Sequence, residues 1–252
     1  MRQSKKYLII NCMNLTHNYF WIKSAISPEI CDEIVRIGTD KIHQEQKSGI
    51  DTSAATSGNL SKHDLPDADS RSDKPLEELE NKLSYVRDSN VTWLRDSWLY
   101  DELKPHIDNA NLNAGWGWDY DWFEDLQFTV YKNDQFYGWH MDGGSDKLAV
   151  YRRTINGITP EDKRYTKQPN LIGKVRKISM TLNLSRPQDY DGGELKFDFG
   201  PHSEIGRFKI CDEIKPQGSI IVFPSFLPHC VTPVTRGTRY SLVMWVCGDP
   251  FR

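Results

Sequence analysis

The hydrophobic period of this chain becomes two at about residue 124, and that change constrains its fold more than any other feature. Leu126, Phe128 and Val130 alternate with Gln127, Thr129 and Tyr131. Ile178, Met180, Leu182 and Leu184 alternate with Ser179, Thr181, Asn183 and Ser185. Tyr240, Leu242 and Met244 alternate with Arg239, Ser241, Val243 and Trp245. Successive strand side chains point to opposite faces, so each segment reads as a strand with one apolar and one polar face. Leu195 and Phe197, the apolar run Ile220–Phe223 and the Asp191-Gly192-Gly193 turn extend the series. Many short strands separated by Gly and Pro turns predict a sandwich or barrel.

Residues 1–123 read differently. Ser27-Pro28 is a helix start, a capping hydroxyl followed by proline at the first helical position. Ile30, Ile34 and Ile37 then recur at helical spacing, and Gly38 reads as the helix end. Residues 44–75 are polar and predict a long exposed loop. Pro75 opens a predicted helix over Leu76–Tyr85. Trp98–Asn113 predicts another, kinked or broken by Pro105. The Trp116, Trp118 and Trp122 cluster reads as core, since aromatic rings dominate cores by buried area. The expectation is a mainly β protein with N-terminal helices: helical support over 1–123 and a β unit over 124–252, together one domain.

A chain of 252 residues can bury a sizeable core without disulfides. Its net charge of −3 argues against a nucleic-acid partner. The five cysteines form no CxxC pair, which fits free thiols in a reducing compartment. No apolar run reaches the length of a membrane span, and Tyr7–Ile10 is too short for a signal core, so a soluble cytoplasmic protein is expected.

The chemistry concentrates at three residues. His140 and Asp142 are two apart and so share a strand face, and His229 follows the apolar run at 220–223. Two histidines and a carboxylate on one face of a metal leave positions open, the ligand set of non-haem Fe(II) oxygenases. A chance His-x-Asp is common in a chain with seven histidines, and the agreement of His229 and Arg239 is what singles this pair out. Such ligands can also hold zinc. Arg239, ten residues after His229, adds a buried cation with the Ser241 hydroxyl beside it. That suits a clamp on the far carboxylate of an organic acid that chelates iron at its other end. Ser241 is otherwise an ordinary strand serine.

With these motifs in place, the chain resembles the 2-oxoglutarate- and Fe(II)-dependent dioxygenases, in their prolyl 4-hydroxylase-like branch. The resemblance is carried by Tyr137-Gly138-Trp139-His140-Met141-Asp142, by Ile178–Ser185, by Tyr190–Leu195, by Phe223–Val234 and by Thr235–Tyr240 with Trp245. It covers roughly residues 124–248 and implies a double-stranded β-helix, the jelly roll. It implies that His140, Asp142 and His229 hold Fe(II) and that Arg239 binds the 5-carboxylate of 2-oxoglutarate. It places Tyr131 in the cosubstrate pocket and Trp245 beside the site. Near Asn183 many relatives carry a tyrosine that helps hold the carboxylate, and Asn183 would substitute over a shorter reach. Fe(II), 2-oxoglutarate and O2 follow as reaction partners, with ascorbate as a further candidate. The implied activity is hydroxylation of a prolyl residue in a protein or peptide, with release of succinate and CO2. The same chemistry on a small molecule or nucleobase, and a non-catalytic ligand-binding jelly roll, are the alternatives. A free amino acid as substrate would need a second arginine, and no residue is assigned that role. Residues 147–176 read as an insertion, either a solvated loop or a substrate lid.

Overall fold

The computed structural model describes residues 17–54, 56–57, 85–144, 149–154, 165–201 and 206–251. The predicted strands pair into two antiparallel sheets. The larger runs Phe20–Ile22, Ile220–Pro224, Val175–Asn183, Arg239–Gly248, Leu126–Tyr131 and Asn90–Leu94, with Trp122–Phe123 paired to Arg239–Gly248. The smaller runs Phe208–Ile210, Leu195–Asp198, His229–Val231, Phe136–His140, Tyr85–Asp88 and Thr56–Ser57. Leu195 and Phe197 of the smaller sheet pack with Ile221 and Phe223 of the larger, so the sheets face each other as a jelly roll.

The alternation in sequence explains the layering. On the larger sheet Leu126, Phe128, Val130, Ile178, Met180, Leu182, Leu242 and Met244 point away from the smaller sheet into one buried cluster. Helices α1 (Pro28–Lys47) and α2 (Ser97–Asn113) cover that face with Cys31, Ile34, Leu99, Leu103 and Ile107. The opposite face carries Gln127, Thr129, Tyr131, Thr181, Arg239 and Ser241, all buried between the sheets.

The α1 start is as expected, with Ser27 accepting from the Ile30 amide and Pro28 in the first turn. Its end is not. The helix runs through Gly38 to Lys47, and residues 44–47 of the expected loop belong to it. A Cβ at Gly38 would lie 2.5 Å from the Phe128 ring. The glycine is there because helix and sheet approach closely, not because the helix stops. Likewise α2 passes unbroken through Pro105. Trp116 joins the large core and stacks on Trp118 at 5.4 Å, the core role expected of this cluster.

The N-terminal half is more than helical support. Phe20–Ile22 and Asn90–Leu94 are the two edges of the larger sheet, and Tyr85–Asp88 extends the smaller one. Tyr85 is therefore in a strand, and the rest of the helix expected over Leu76–Tyr85 lies outside the described residues. So does most of the 44–75 loop. The insertion ends earlier than expected, because the long strand already begins at Val175. Its described parts are tied down: Arg152–Arg153 pairs in parallel with Tyr165–Thr166, and Tyr151 exchanges backbone bonds with Gly173 and Lys174. Among the described residues no helix is long and apolar enough to cross a membrane.

Candidate metal centre and active site

Strand register assembles the His/Asp cluster. His140 ends its strand directly opposite His229 on the neighbouring strand. Asp142 lies just beyond the strand end, in a bend rather than in the strand itself. Its carboxylate still closes the group: Oδ1 is 3.6 Å from His140 Nε2 and Oδ2 is 3.6 Å from His229 Nε2. The three ligand atoms lie within 4.8 Å of one another. His140 Nδ1 is 2.8 Å from the Gly138 carbonyl, and His229 Nδ1 is 2.9 Å from that of Leu227. Those carbonyls hold the Nδ1 protons, which leaves both Nε2 lone pairs facing Asp142. Tyr137 stacks flat on the His140 ring at 3.5 Å, and Phe223 meets the His229 ring edge-on at 4.7 Å.

The protonation states suit a cation. Burial would raise the Asp142 carboxyl, but His229, His140 and Arg176 outweigh it and hold it well below the usual carboxylate range. Burial and the neighbouring His140 push the His229 imidazole down to about 4, against the opposing pull of Asp142. At neutral pH Asp142 is therefore an anion and His229 a neutral base, the forms that ligate a metal.

Across the cavity from this cluster stands Arg239, 1% exposed and opposite Tyr131 in the sheet. Its Nη1 donates to Ser241 Oγ at 3.3 Å, and its Nε has no hydrogen-bond partner. The Tyr131 ring lies 5.5 Å from the guanidinium carbon. Among the described residues no carboxylate pairs with Arg239. A buried cation without a counter-ion is costly unless a ligand supplies one. Gly193 makes room for it: its φ is +59°, and a Cβ there would come within 2.8 Å of Arg239 Cδ. Three oxygen and nitrogen ligands at one end and an unpaired guanidinium at the other fit Fe(II) and a dicarboxylate that reaches between them.

One sequence expectation fails here. Asn183 sits on the cavity face by register, opposite Ser241. It does not line the cavity. Its amide donates to the Ser185 and Lys215 carbonyls at 3.0 and 2.9 Å and accepts from the Ser185 amide. At the strand end these turn groups are nearer than any ligand, and a short amide cannot reach past them. Thr181, one pleat inward, lines the cavity instead.

Residues 126–247 match the family of the 2OG-Fe(II) oxygenase superfamily. Just under half of the chain thus matches that superfamily. The PKHD-type hydroxylase YbiX of Escherichia coli O9:H4 (strain HS) is 39% identical over 121 residues, 47% of this chain and 41% of that protein. The match thus spans less than half of the curated relative. Among solved structures, viral collagen prolyl hydroxylase vCPH from Paramecium bursaria Chlorella virus-1, in its 2OG complex, has a TM-score of 0.54 at 18% identity, covering 92% of this chain and 97% of that one. A Trichoplax adhaerens prolyl hydroxylase in complex with a hypoxia inducible factor peptide fragment scores 0.52 at 15% identity, covering 92% and 84%. At such identities the likeness is one of fold.

The cleft beside the site is bordered by groups that sequence reading did not assign. Arg176 forms a two-pronged pair with Glu124, at 2.6 Å from each nitrogen, and donates to the Asp142 carbonyl at 3.3 Å. Its guanidinium lies 3.8 Å from the Trp245 ring. Glu124 also accepts from Tyr151 of the insertion at 2.9 Å. Burial raises the Glu124 carboxyl, yet Arg176 outweighs this and leaves it below its ordinary value. Simple alternation puts Arg176 on the helix face with Ile178. A bulge between Arg176 and Ile178 turns it to the cavity side, opposite Cys247. Arg87 was hidden differently, since it lies just beyond the helix expected over Leu76–Tyr85, in a segment given no strand reading. The β-rich letters of 85–94, Tyr, Val, Thr and Trp, were the available signal.

Proposed function

We propose that this chain is an Fe(II)- and 2-oxoglutarate-dependent oxygenase that hydroxylates a prolyl residue of a protein or peptide. The observation that carries the chemistry is the pairing of His140, Asp142 and His229 with the partnerless Arg239 Nε across one buried cavity. Bound Fe(II) would couple O2 to oxidative decarboxylation of 2-oxoglutarate and to hydroxylation of the substrate. The protein's own residues hold and shield the reactants. His140, Asp142 and His229 offer the ligands, Arg239 and Ser241 orient the far carboxylate, and Tyr131 walls that end. Trp245, Phe223 and Val231 exclude water from the inner cavity.

The substrate reading rests on a second feature. Outside Asp142 the inner cavity opens into a cleft of about 990 Å³ bordered by Trp93, Tyr137, Tyr151, Tyr165 and Trp245. An aromatic groove suits an extended proline-containing chain, which loses little entropy on docking. The described ends of the insertion form one wall of this cleft, which supports a substrate-binding role for it. The four described cysteines are free, in keeping with a cytoplasmic setting.

The test is Arg239→Leu. Calorimetry should show 2-oxoglutarate affinity falling by about 2–5 kcal/mol, the cost of truncating a buried charge pair. Fe(II) binding and the stability of the cosubstrate-free protein should hold or improve, because an unpaired buried cation is removed. Unchanged 2-oxoglutarate affinity would defeat the assignment. Succinate release with a panel of prolyl peptides, free amino acids and methylated oligonucleotides then separates the substrate classes.

A further inference from the structure

We infer that Arg87 forms a second anion subsite and makes the enzyme select a substrate bearing a carboxylate close to the hydroxylated residue. The inference rests on the oxygenase reading and adds to it the substrate's charge.

Arg87 is 7% exposed, yet it borders both the inner cavity and the outer cleft. Every described partner it has is neutral. Nε donates to Ser89 Oγ at 2.8 Å, and Nη2 to Gln127 Oε1 at 2.8 Å and Thr129 Oγ1 at 3.4 Å. Its guanidinium carbon lies 4.5 Å above the Tyr137 ring, whose other neighbour is the His140 imidazole. These contacts fix the plane and one edge of the fork. Among the described residues Nη1 has no hydrogen-bond acceptor and no carboxylate pairs with the group.

The contrast with Arg176 is informative. Arg176 borders the same cleft, but Glu124 already neutralises it. Among the described residues Arg239 also lacks a counter-ion, and the cosubstrate's 5-carboxylate supplies it. The cosubstrate's other carboxylate belongs at the metal ligands. Arg87, at the junction of cavity and cleft, therefore faces the position from which substrate enters. A rigid, oriented guanidinium there recognises a carboxylate more strongly than a neutral acceptor. The carboxylate has two sources: an aspartate or glutamate side chain beside the target residue, or a chain-terminal carboxylate, including that of a free amino acid.

The experiment compares prolyl peptides carrying Asp or Glu at flanking positions with their Asn or Gln counterparts, each with a free or an amidated C-terminus, alongside free proline. Binding is read by calorimetry on the metal-free protein, and hydroxylation by mass on the Fe(II)-loaded protein. The parent should favour the carboxylate by about 10- to 100-fold, the range of a charged hydrogen bond. Arg87→Gln should lose that preference, and Arg87→Lys should keep part of it. The thermal transition and 2-oxoglutarate affinity of each variant establish that the fold and the Arg239 clamp persist. Preference for acidic side chains regardless of amidation assigns an internal carboxylate, and dependence on a free C-terminus assigns a terminal one. Charge-selective binding without hydroxylation would refute the oxygenase reading and leave the subsite standing. Hydroxylation indifferent to the carboxylate, or a loss of 2-oxoglutarate affinity in Arg87→Gln matching that of Arg239→Leu, would overturn the subsite.

Discussion

The two faces of the larger sheet come from the same strands and behave as opposites. Toward the helices, Phe128, Met180, Leu242 and Met244 are fully buried in one apolar cluster. Toward the smaller sheet, the residues between them are Gln127, Thr129, Thr181, Arg239 and Ser241, and two polar atoms there, Arg239 Nε and Trp245 Nε1, have no partner. Each face leaves a polar atom unpaired, Thr92 Oγ1 beside Phe128 on one and Arg239 Nε on the other, but only the second face gathers polar groups around a cavity. The lesson is that stability and chemistry are separated here by one residue of pleat, about 3.3 Å along a strand. Substitutions on one face should therefore leave the property of the other intact.

The sharpest separation is expected at the proposed metal ligands. Asp142→Ala and His229→Ala should abolish Fe(II) binding, measured by metal analysis of anaerobically loaded protein, while Phe128→Ala should bind a full equivalent. Iron held by His229→Ala as tightly as by the parent would remove that histidine from the ligand set. The converse effect follows. Phe128→Ala should lower unfolding free energy by about 3–5 kcal/mol in denaturant melts, from lost burial and the cavity left behind. If it also weakened 2-oxoglutarate binding in the folded protein, the two faces would be coupled and the comparison would fail.

Arg176→Met probes a place where the cavity side carries a stabilising ion pair. Removing it leaves Glu124 buried and unpaired, at a cost of about 3–5 kcal/mol. With Arg176 present the Glu124 carboxyl lies below its ordinary value, so its contribution is complete above the unfolded value and is lost as pH falls through the depressed one. In the variant burial is opposed only by the hydrogen bonds from Tyr151 and Cys247, so the carboxyl rises. Protonation then relieves the penalty, and the gap in melting temperature should narrow between about pH 7 and about pH 5. A constant gap would mean that lost packing against Trp245, not charge, carries the effect. The smallest change is expected at Ser241→Ala. A single 3.3 Å hydrogen bond to Arg239 is lost, so 2-oxoglutarate affinity should fall by about 1 kcal/mol with no change in melting temperature.

The difference between the faces also explains what could be read from the letters alone. Local periodicity marked residues 126–131, 178–185 and 239–245 as two-faced segments, and their apolar and polar faces went to the helices and the cavity side respectively. His140, Asp142, His229 and Arg239 were legible because their chemistry is unusual in such strands. Gly38 was misread because a glycine required by a ring that would lie 2.5 Å from any Cβ looks the same in sequence as one that ends a helix. Asn183 was misread because face alone does not decide a role when a turn carbonyl is nearer than the ligand.

The sequence by itself pointed to a sandwich or barrel of two-faced strands and to the candidate metal ligands and clamp, because alternation and side-chain chemistry are local properties of the chain. Only the tertiary structure decided which other charges join them. Arg87 reaches the cavity from a strand that the N-terminal half adds to the smaller sheet, 53 positions before His140. Arg176 turns inward at a bulge, and Glu124 meets it across 52 positions of chain. Such pairings depend on register and close packing between distant segments, and no periodicity encodes them.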